Sequence, residues 1–367
     1  MARRASKRGP PRRPAPRPSK ESIEASCAPP GCTVHPTAWR RSPSIAYFVQ
    51  AMEFSLRPIR PSDIESIHGL QRRVEERDRI PIATPREEIE DWLHEPHFDL
   101  ARDSRLAESG GKVVAWGRIW HQPSEVREQQ AYLHGAVDPA LRGMGIGSGL
   151  LSWQIERAGE ILRDGPPPLP RFIRVHAYDH EYAAHRLYER HGLIPIRYSE
   201  VLLRDLEALP AVTPVVGIEI VGWQPSLTEQ ARRARNHAFA DHWGSVPRDK
   251  LAWDHVLAAF GTRLDLSYVA LEGDRVVGIC RNGHFPGDEA INGRRDGWIV
   301  QAGVIRSHRK RGIASALITR SLAAFKAAGF THSALGVDSE NPTGAYQLYE
   351  RLGYRSIHRS VVRQMTV

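Results

Sequence analysis

Short apolar runs of period two and longer runs with an apolar stripe of helical period follow one another in the same order twice along this chain. In the first stretch Phe54–Ile59 alternates as a strand, and Pro61-Ser62-Asp63 signals the start of a helix over Ile64–Val74. Thr84-Pro85 caps a second helix reaching Leu93, and Asp99–Leu106 and Val113–Trp120 read as strands joined at Gly110-Gly111. A strand ending at Val137, a helix to Leu162, a strand over Arg171–Ala177, a helix over Glu181–Arg190 and a strand over Ile194–Leu203 complete it. The second stretch opens with a strand over Ile218–Trp223, and Ser226-Leu-Thr-Glu229 predicts a capping box for a helix through Phe239. A helix over Arg248–Phe260, a hairpin of Leu266–Leu271 and Val276–Arg281, and a strand over Trp298–Val304 follow. Ala316, Leu317, Leu322, Ala323 and Phe325 stripe the next helix, before a strand over Thr331–Val337, a helix over Thr343–Arg351 and a final stretch over Tyr354–Met365. Each copy therefore reads β-α-α-β-β-β-α-β-α-β.

The duplication is also visible in motifs. Arg142-Gly-Met-Gly145-Ile-Gly147 and Arg309-Lys-Arg-Gly312-Ile-Ala314 each sit between a strand and a helix, with Arg142 and Arg309 167 residues apart. Leu187-Tyr188-Glu-Arg and Leu348-Tyr349-Glu-Arg recur downstream, with Tyr188 and Tyr349 161 residues apart. The difference of six matches the Gly165-Pro-Pro-Pro-Leu-Pro170 segment of the first copy. Two long copies argue for tandem domains rather than a solenoid. We expect an extension over residues 1–51, a first domain over 52–205, a linker over 206–217 and a second domain over 218–367.

A helix that opens on small residues beside Arg309, Lys310 and Arg311 offers exposed amides and positive charge to an anion. Neither loop has the spacing of the P-loop or of the dinucleotide fingerprint. The pattern Arg/Gln-x-x-Gly-x-Gly/Ala resembles instead the pyrophosphate loop of the GNAT superfamily of acyl-CoA-dependent N-acyltransferases, and the resemblance covers both copies, roughly residues 54–367. It implies an α/β (α+β) fold of two tandem GNAT units, each a mixed, mostly antiparallel splayed sheet flanked by helices.

Net charge changes the picture little. Of the formal +9, residues 1–51 supply ten Lys and Arg against two Asp and Glu, leaving 41 against 40 in the rest. A near-neutral folded part argues against nucleic-acid binding by the domains. The Pro-, Arg- and Ser-rich extension is expected to be disordered. It reads as a polybasic tether or as a mute tail, with Met52 as an alternative natural start. No run approaches the ~18 apolar residues of a membrane span. Three cysteines, Cys27, Cys32 and Cys280, make no disulfide framework and fit a reducing, cytoplasmic setting.

What the resemblance implies is an acetyl-CoA-dependent N-acetyltransferase that moves an acetyl group to a small-molecule amine by direct attack on the thioester, in the C-terminal domain. The alternative is a non-catalytic acyl-CoA-binding protein. Val304 would lie near the pantetheine arm, and Arg309, Lys310, Arg311, Gly312, Ile313 and Ala314 would hold the pyrophosphate, the Arg309 guanidinium pairing with its oxygens. Asn341 would cap the following helix, with Pro342 at its first position, and also contact the cofactor arm. Tyr349 would protonate the departing thiolate, or would simply pack under the sheet. In the first copy Val137, Arg142, Gly143, Gly145 and Gly147 repeat the loop, but His180 stands where the second copy has Asn341, so that copy is expected to be degenerate.

Asp241, His242 and Trp243 lie in the loop expected to wall the acceptor pocket. Asp338, Glu340 and Asp241 are conceivable bases, none singled out, and the acceptor is not carried over from any relative. His180-Glu-Tyr-Ala-Ala-His185 imitates a zinc helix, yet its histidines are five apart, about 140° round a helix, so no metal is expected. The protein is expected to be a monomer or homodimer.

Overall fold

Both copies contribute to one continuous sheet. The computed structural model describes residues 46–49, 52–165, 168–341 and 344–367. Expectations for residues 1–45, including Cys27 and Cys32, and for Pro342 and Thr343 lie outside them.

In the N-terminal half the elements are β1 (Ala46–Val49), β2 (Met52–Arg57), α1 (Ile64–Asp78), α2 (Arg86–Leu93), α3 (Leu100–Asp103), β3 (Ser104–Ser109), β4 (Lys112–His121), β5 (Gln129–Val137), α4 (Ile146–Arg163), β6 (Arg171–Tyr178), α5 (Tyr182–Arg190) and β7 (Ile194–Asp205). The C-terminal half has β8 (Glu219–Gly222), α6 (Thr228–Ala238), α7 (Lys250–Ala258), β9 (Tyr268–Glu272), β10 (Arg275–Gly283), α8 (Gly287–Asn292), β11 (Asp296–Val304), α9 (Ile313–Ala327), β12 (His332–Asp338), α10 (Ala345–Arg351) and β13 (Arg355–Thr366).

The strand order is β1-β2-β3-β4-β5-β6-β13-β7-β12-β11-β10-β9-β8. The last strand of each half thus lies beside a strand of the other: β13 pairs with β6, β7 with β12, and β7 and β13 pair with each other at the centre. Pairing is antiparallel throughout except at β5–β6 and β11–β12. The cores are cross-fed accordingly. Leu202 and Leu206 pack with the C-terminal helices, while Met365 packs with Leu162 and Ile173 of the N-terminal half.

Both parallel pairs separate part-way. β11 and β12 pair over Asp296–Ile299 and His332–Leu335, and β5 and β6 over Gln129–Tyr132 and Arg171–Arg174. Beyond those points the strands carry backbone groups with no ladder partner across the gap. In the second copy an irregularity between Arg281 and Asn282 turns β11 at this point. Gly283 leaves room for it, because a Cβ there would stand 2.9 Å from Val300 Cγ2.

Several local expectations are corrected. Ala46–Val49 was expected in the disordered extension, but its aromatic and β-branched residues form a strand against β2. Asp99 opens not a strand but a helical turn, its carboxylate accepting from the amides of Ala101 and Arg102 at 3.0 and 3.1 Å. The capping box at Ser226–Glu229 does not form: Pro225–Leu227 is a 3-10 turn, and Glu229 pairs with Arg232 and Arg233. α10 starts at Ala345 with Gly344 at its N-cap in the left-handed region, so Asn341 stands one turn before the helix and is not its cap.

α9 packs against β11 through Phe325, which is fully buried over Gly297. A Cβ on Gly297 would come 2.5 Å from Phe325 Cγ. Gly297→Ala is therefore expected to destabilise the protein by about 1–3 kcal/mol, read as a lower urea midpoint at unchanged slope.

Candidate active site

The gap between β11 and β12 opens into a cavity of about 560 Å³. Ile299–Val304 and Gly336–Asp338 form its sides, Gly312–Ser315 one end, and Leu348 and Tyr349 a wall. Phe239, Asp241 and His242 reach it from the loop after α6. Of the residues singled out in the second copy, Val304, Arg309, Lys310, Gly312, Ile313, Ala314, Asn341, Tyr349, Asp241 and His242 meet here.

The loop geometry explains its residue types. Gly145 and Gly312 precede α4 and α9 at φ 85, a conformation that costs glycine nothing. Lys310 is held at φ 64, unusual for a residue with a side chain. The turn presents the first amides of α9, which have no partner within the helix, to the end of the cavity.

The arginine that opens each motif is tied back to the strand and helix beside it. Arg309 donates through Nε to Val304 O at 3.2 Å and through Nη2 to Ala238 O at 2.8 Å, with Asp241 at 3.4 Å. Arg142 likewise reaches Val137 O through Nε at 3.4 Å and makes a bidentate pair with Asp78 at 2.6 and 2.7 Å. Both guanidiniums lash the loop to the strand end and the helix beside it. These bonds use three of the five guanidinium N–H donors of Arg309, which also lines the cavity. Arg311 points outward to Glu272 at 3.0 Å.

The Tyr349 side chain is buried, its ring edge-on to Tyr354 at 5.9 Å. Burial raises its pKa, so the phenol keeps its proton. In the first copy Tyr188 is half-buried against the N-terminal core, and His180 stacks on Tyr178 at 5.7 Å. Gly147 sits where a Cβ would touch both Val137 at 3.4 Å and Leu187 at 3.5 Å. The two copies of the loop match; what surrounds them does not.

Each carboxylate weighed as a base is engaged by arginine. Asp241 bridges Arg306 and Arg309, and Arg197 of β7 holds Asp338 through two bonds of 3.0 Å and Glu340 at 2.9 Å. His242 is different. Its Nδ1 is 2.8 Å from Trp243 O, and a carbonyl only accepts, so Nδ1 carries the proton and Nε2 is left as an acceptor. Burial holds its pKa below the usual 6.5. Trp243 does not line the cavity. It is clamped between the guanidiniums of Arg174 at 4.2 Å and Arg197 at 5.5 Å, both from the N-terminal half. Arg127 and Gln130 donate to the carbonyls of His242 and Gly244 at 2.9 and 2.8 Å. The loop that presents His242 is thus fixed from the other half, a support no local sequence pattern announces.

Cys280, buried beside Ser321, has its thiol pushed up to about 12. Among the described residues no group of three or more His, Cys, Asp or Glu is placed to hold a metal, and no helix is long and apolar enough to cross a membrane. His180 precedes α5, and His185 Nε2 is 2.9 Å from Tyr178 O.

The sequence profile of the Acetyltransferase (GNAT) family matches residues 71–193 and again 228–354. A mycothiol acetyltransferase of a Nocardioides species is 27% identical over 279 residues, covering 70% of this chain and 91% of that protein. A GCN5-related N-acetyltransferase from Sphaerobacter thermophilus superposes with a TM-score of 0.65 at 28% identity, over 85% of this chain and 95% of that one. A tandem GNAT protein from the clavulanic acid biosynthesis pathway gives 0.62 at 16% identity, over 86% and 98%, and shares the fold.

Proposed function

This chain belongs to the GNAT acetyltransferase family, and we propose that it moves an acetyl group from acetyl-CoA to the amine of a small molecule, with the chemistry in its C-terminal half. The observation that carries the reading is that one cavity is bounded at one end by the amides of α9 and lined on its wall by the protonated phenol of Tyr349. The residues fit a CoA thioester: α9 amides and Lys310 suit a pyrophosphate, and the unpaired edge of Val300–Val304 suits an amide-bearing arm.

The thioester supplies an activated acyl carbon; the chain supplies position and proton transfer. His242 Nε2 takes a proton from the attacking amine, directly or through one water. As the new C–N bond forms and the C–S bond breaks, Tyr349 gives its proton to the departing sulfur. A neutral amine is required, and a buried neutral imidazole is suited to produce one.

The test is a panel of amines, including amino acids, polyamines, aminoglycosides and, because of the Nocardioides relative, a mycothiol-type acceptor, with acetyl-CoA and release of free thiol as readout. At least one amine is expected to give stoichiometric thiol and N-acetyl product. Acetyl-CoA binding without turnover of any amine would favour a non-catalytic binding protein instead.

The His242 assignment also fixes a pH dependence. A base whose pKa lies below 6.5 is competent above it, so kcat at saturating substrates should fall only as pH drops below 6.5. That acid limb should vanish in His242→Ala. An unchanged limb in the variant would remove His242 from the mechanism.

A further inference from the structure

Behind the loop that carries His242 lie three guanidiniums that form no ion pair among the described residues, Glu95 acting on Arg248 only from a distance. Arg235 is on α6, Arg248 in the loop before α7 and Arg281 on β10, and Arg235 and Arg281 are 6% and 7% exposed. Among the described residues none of the three has an ion-pair partner. Arg235 is held by Val246 O at 2.7 Å and Ser245 Oγ at 3.1 Å, and Arg281 reaches Thr262 Oγ1 at 3.4 Å. Asn236 fixes the Arg248 backbone from both sides, at 2.9 and 3.0 Å. Even so, Arg235 Nε, Arg248 Nη1 and Arg281 Nε are buried without an acceptor. Burial lowers all three pKa values, and the charge of Arg248 adds to the effect on Arg235 and Arg281, which fall to about 9. Unanswered buried cations are expensive, and proteins rarely keep one without a use.

The other half supplies an internal control. Arg281 stands opposite Gln301, and Arg118 opposite His134, each partner eight residues before the arginine of its own loop. Arg118 is neutralised by Glu95 at 2.5 Å and covered by the Trp92 ring at 4.7 Å. Its counterpart Arg281 has neither. Beside it, Gln301 Oε1 is buried without a donor, and Gln301 lines the cavity. Arg235 lies 5.4 Å from the ring of Phe239, which also lines it. The cluster therefore lies behind the Gln301 and Phe239 lining of the cavity, with Arg235 near enough to His242 to act on its charge.

We propose that Arg235, Arg248 and Arg281 receive an oxyanion of the acceptor, so that the amine acetylated here belongs to a molecule carrying a carboxylate, phosphate or sulfonate group. The proposal deepens the acetyltransferase reading and rests on it. The anion would supply the missing acceptors and anchor the molecule while its amine meets His242.

The test has two arms on the full chain. In the first, anions are added as acetate, inorganic phosphate or methanesulfonate with CoA saturating, so that the α9 end is occupied, and Tm is read. At least one is expected to raise Tm, and which one does so names the oxyanion; the rise should be absent in Arg281→Met and kept in part in Arg281→Lys. In the second, each acceptor acid is compared with its neutral amide or ester, and kcat/KM is expected to favour the acid at least tenfold in the wild type and to lose that preference in Arg281→Met, with acetyl-CoA affinity unchanged. Equal kcat/KM for acid and neutral forms, together with no Tm response to any of the three anions, would overturn it. Anion binding that depends on Arg281 while no amine turns over would leave the site standing and remove the acetyltransferase reading.

Discussion

Tyr349→Phe is expected to leave acetyl-CoA affinity within a factor of about two and to lower kcat by at least 10²-fold, the usual size of a general-acid contribution. The ring is held by Tyr354 and the surrounding core, so removing one oxygen should disturb no packing. Burial keeps the phenol protonated at every pH at which the protein is handled, which makes it a proton donor and not a nucleophile. Steady-state kinetics beside a direct binding measurement separate the two quantities. Tyr188→Phe is the matched control and should leave turnover unchanged. An unchanged rate in Tyr349→Phe would remove the acid from this position, and a loss confined to Tyr188→Phe would move the chemistry to the N-terminal half.

Cutting the chain within residues 210–217 is expected to yield two fragments that fold together and not separately. Alone, the N-terminal fragment would lack β13, leaving β6 as an open edge and β7 with neither of its partners. The C-terminal fragment would lack β6 and β7, leaving β12 with an open edge and β13 with neither of its partners. Long unpaired edges with half-built cores lead to aggregation. Neither fragment should show a cooperative unfolding transition by circular dichroism, whereas co-expression should restore a soluble complex with acetyl-CoA affinity. A fragment that folds alone as a monomer would show that the exchanged strands are dispensable.

This exchange was not legible in the sequence. Alternation along Ile194–Asp205 and Arg355–Thr366 reports which face of a strand is buried, not which strand lies beside it. Two similar copies end in strands of similar pattern, so nothing local distinguishes pairing within a copy from pairing across copies. The cofactor loop was legible because its demands are local: a positive φ at Gly312 and small residues where the helix opens. The charge of Arg309 was equally plain, but its partners, Val304 O and Ala238 O, are fixed by the fold, and so its role as a brace was not. For Trp243 the residue type suggested a pocket wall. Its place between Arg174 and Arg197 depends on strands more than 45 residues away in the chain. The unpaired arginines were invisible for the opposite reason, since pairing is the default and its absence cannot be read from composition.

The central position of β13 has a further consequence in time. A ribosome delivers the chain at roughly 5–20 residues per second, so all of the N-terminal half is outside the exit tunnel many seconds before residues 355–366 have been made. Throughout that interval β6 waits with one edge unsatisfied and β7 waits with none of its neighbours. The pairing of β13 with β6 closes a loop of about 190 residues, from Val175 to Arg363, which is slow to search. The first half synthesised is therefore the last to be completed, and its nascent form is a natural client for a chaperone.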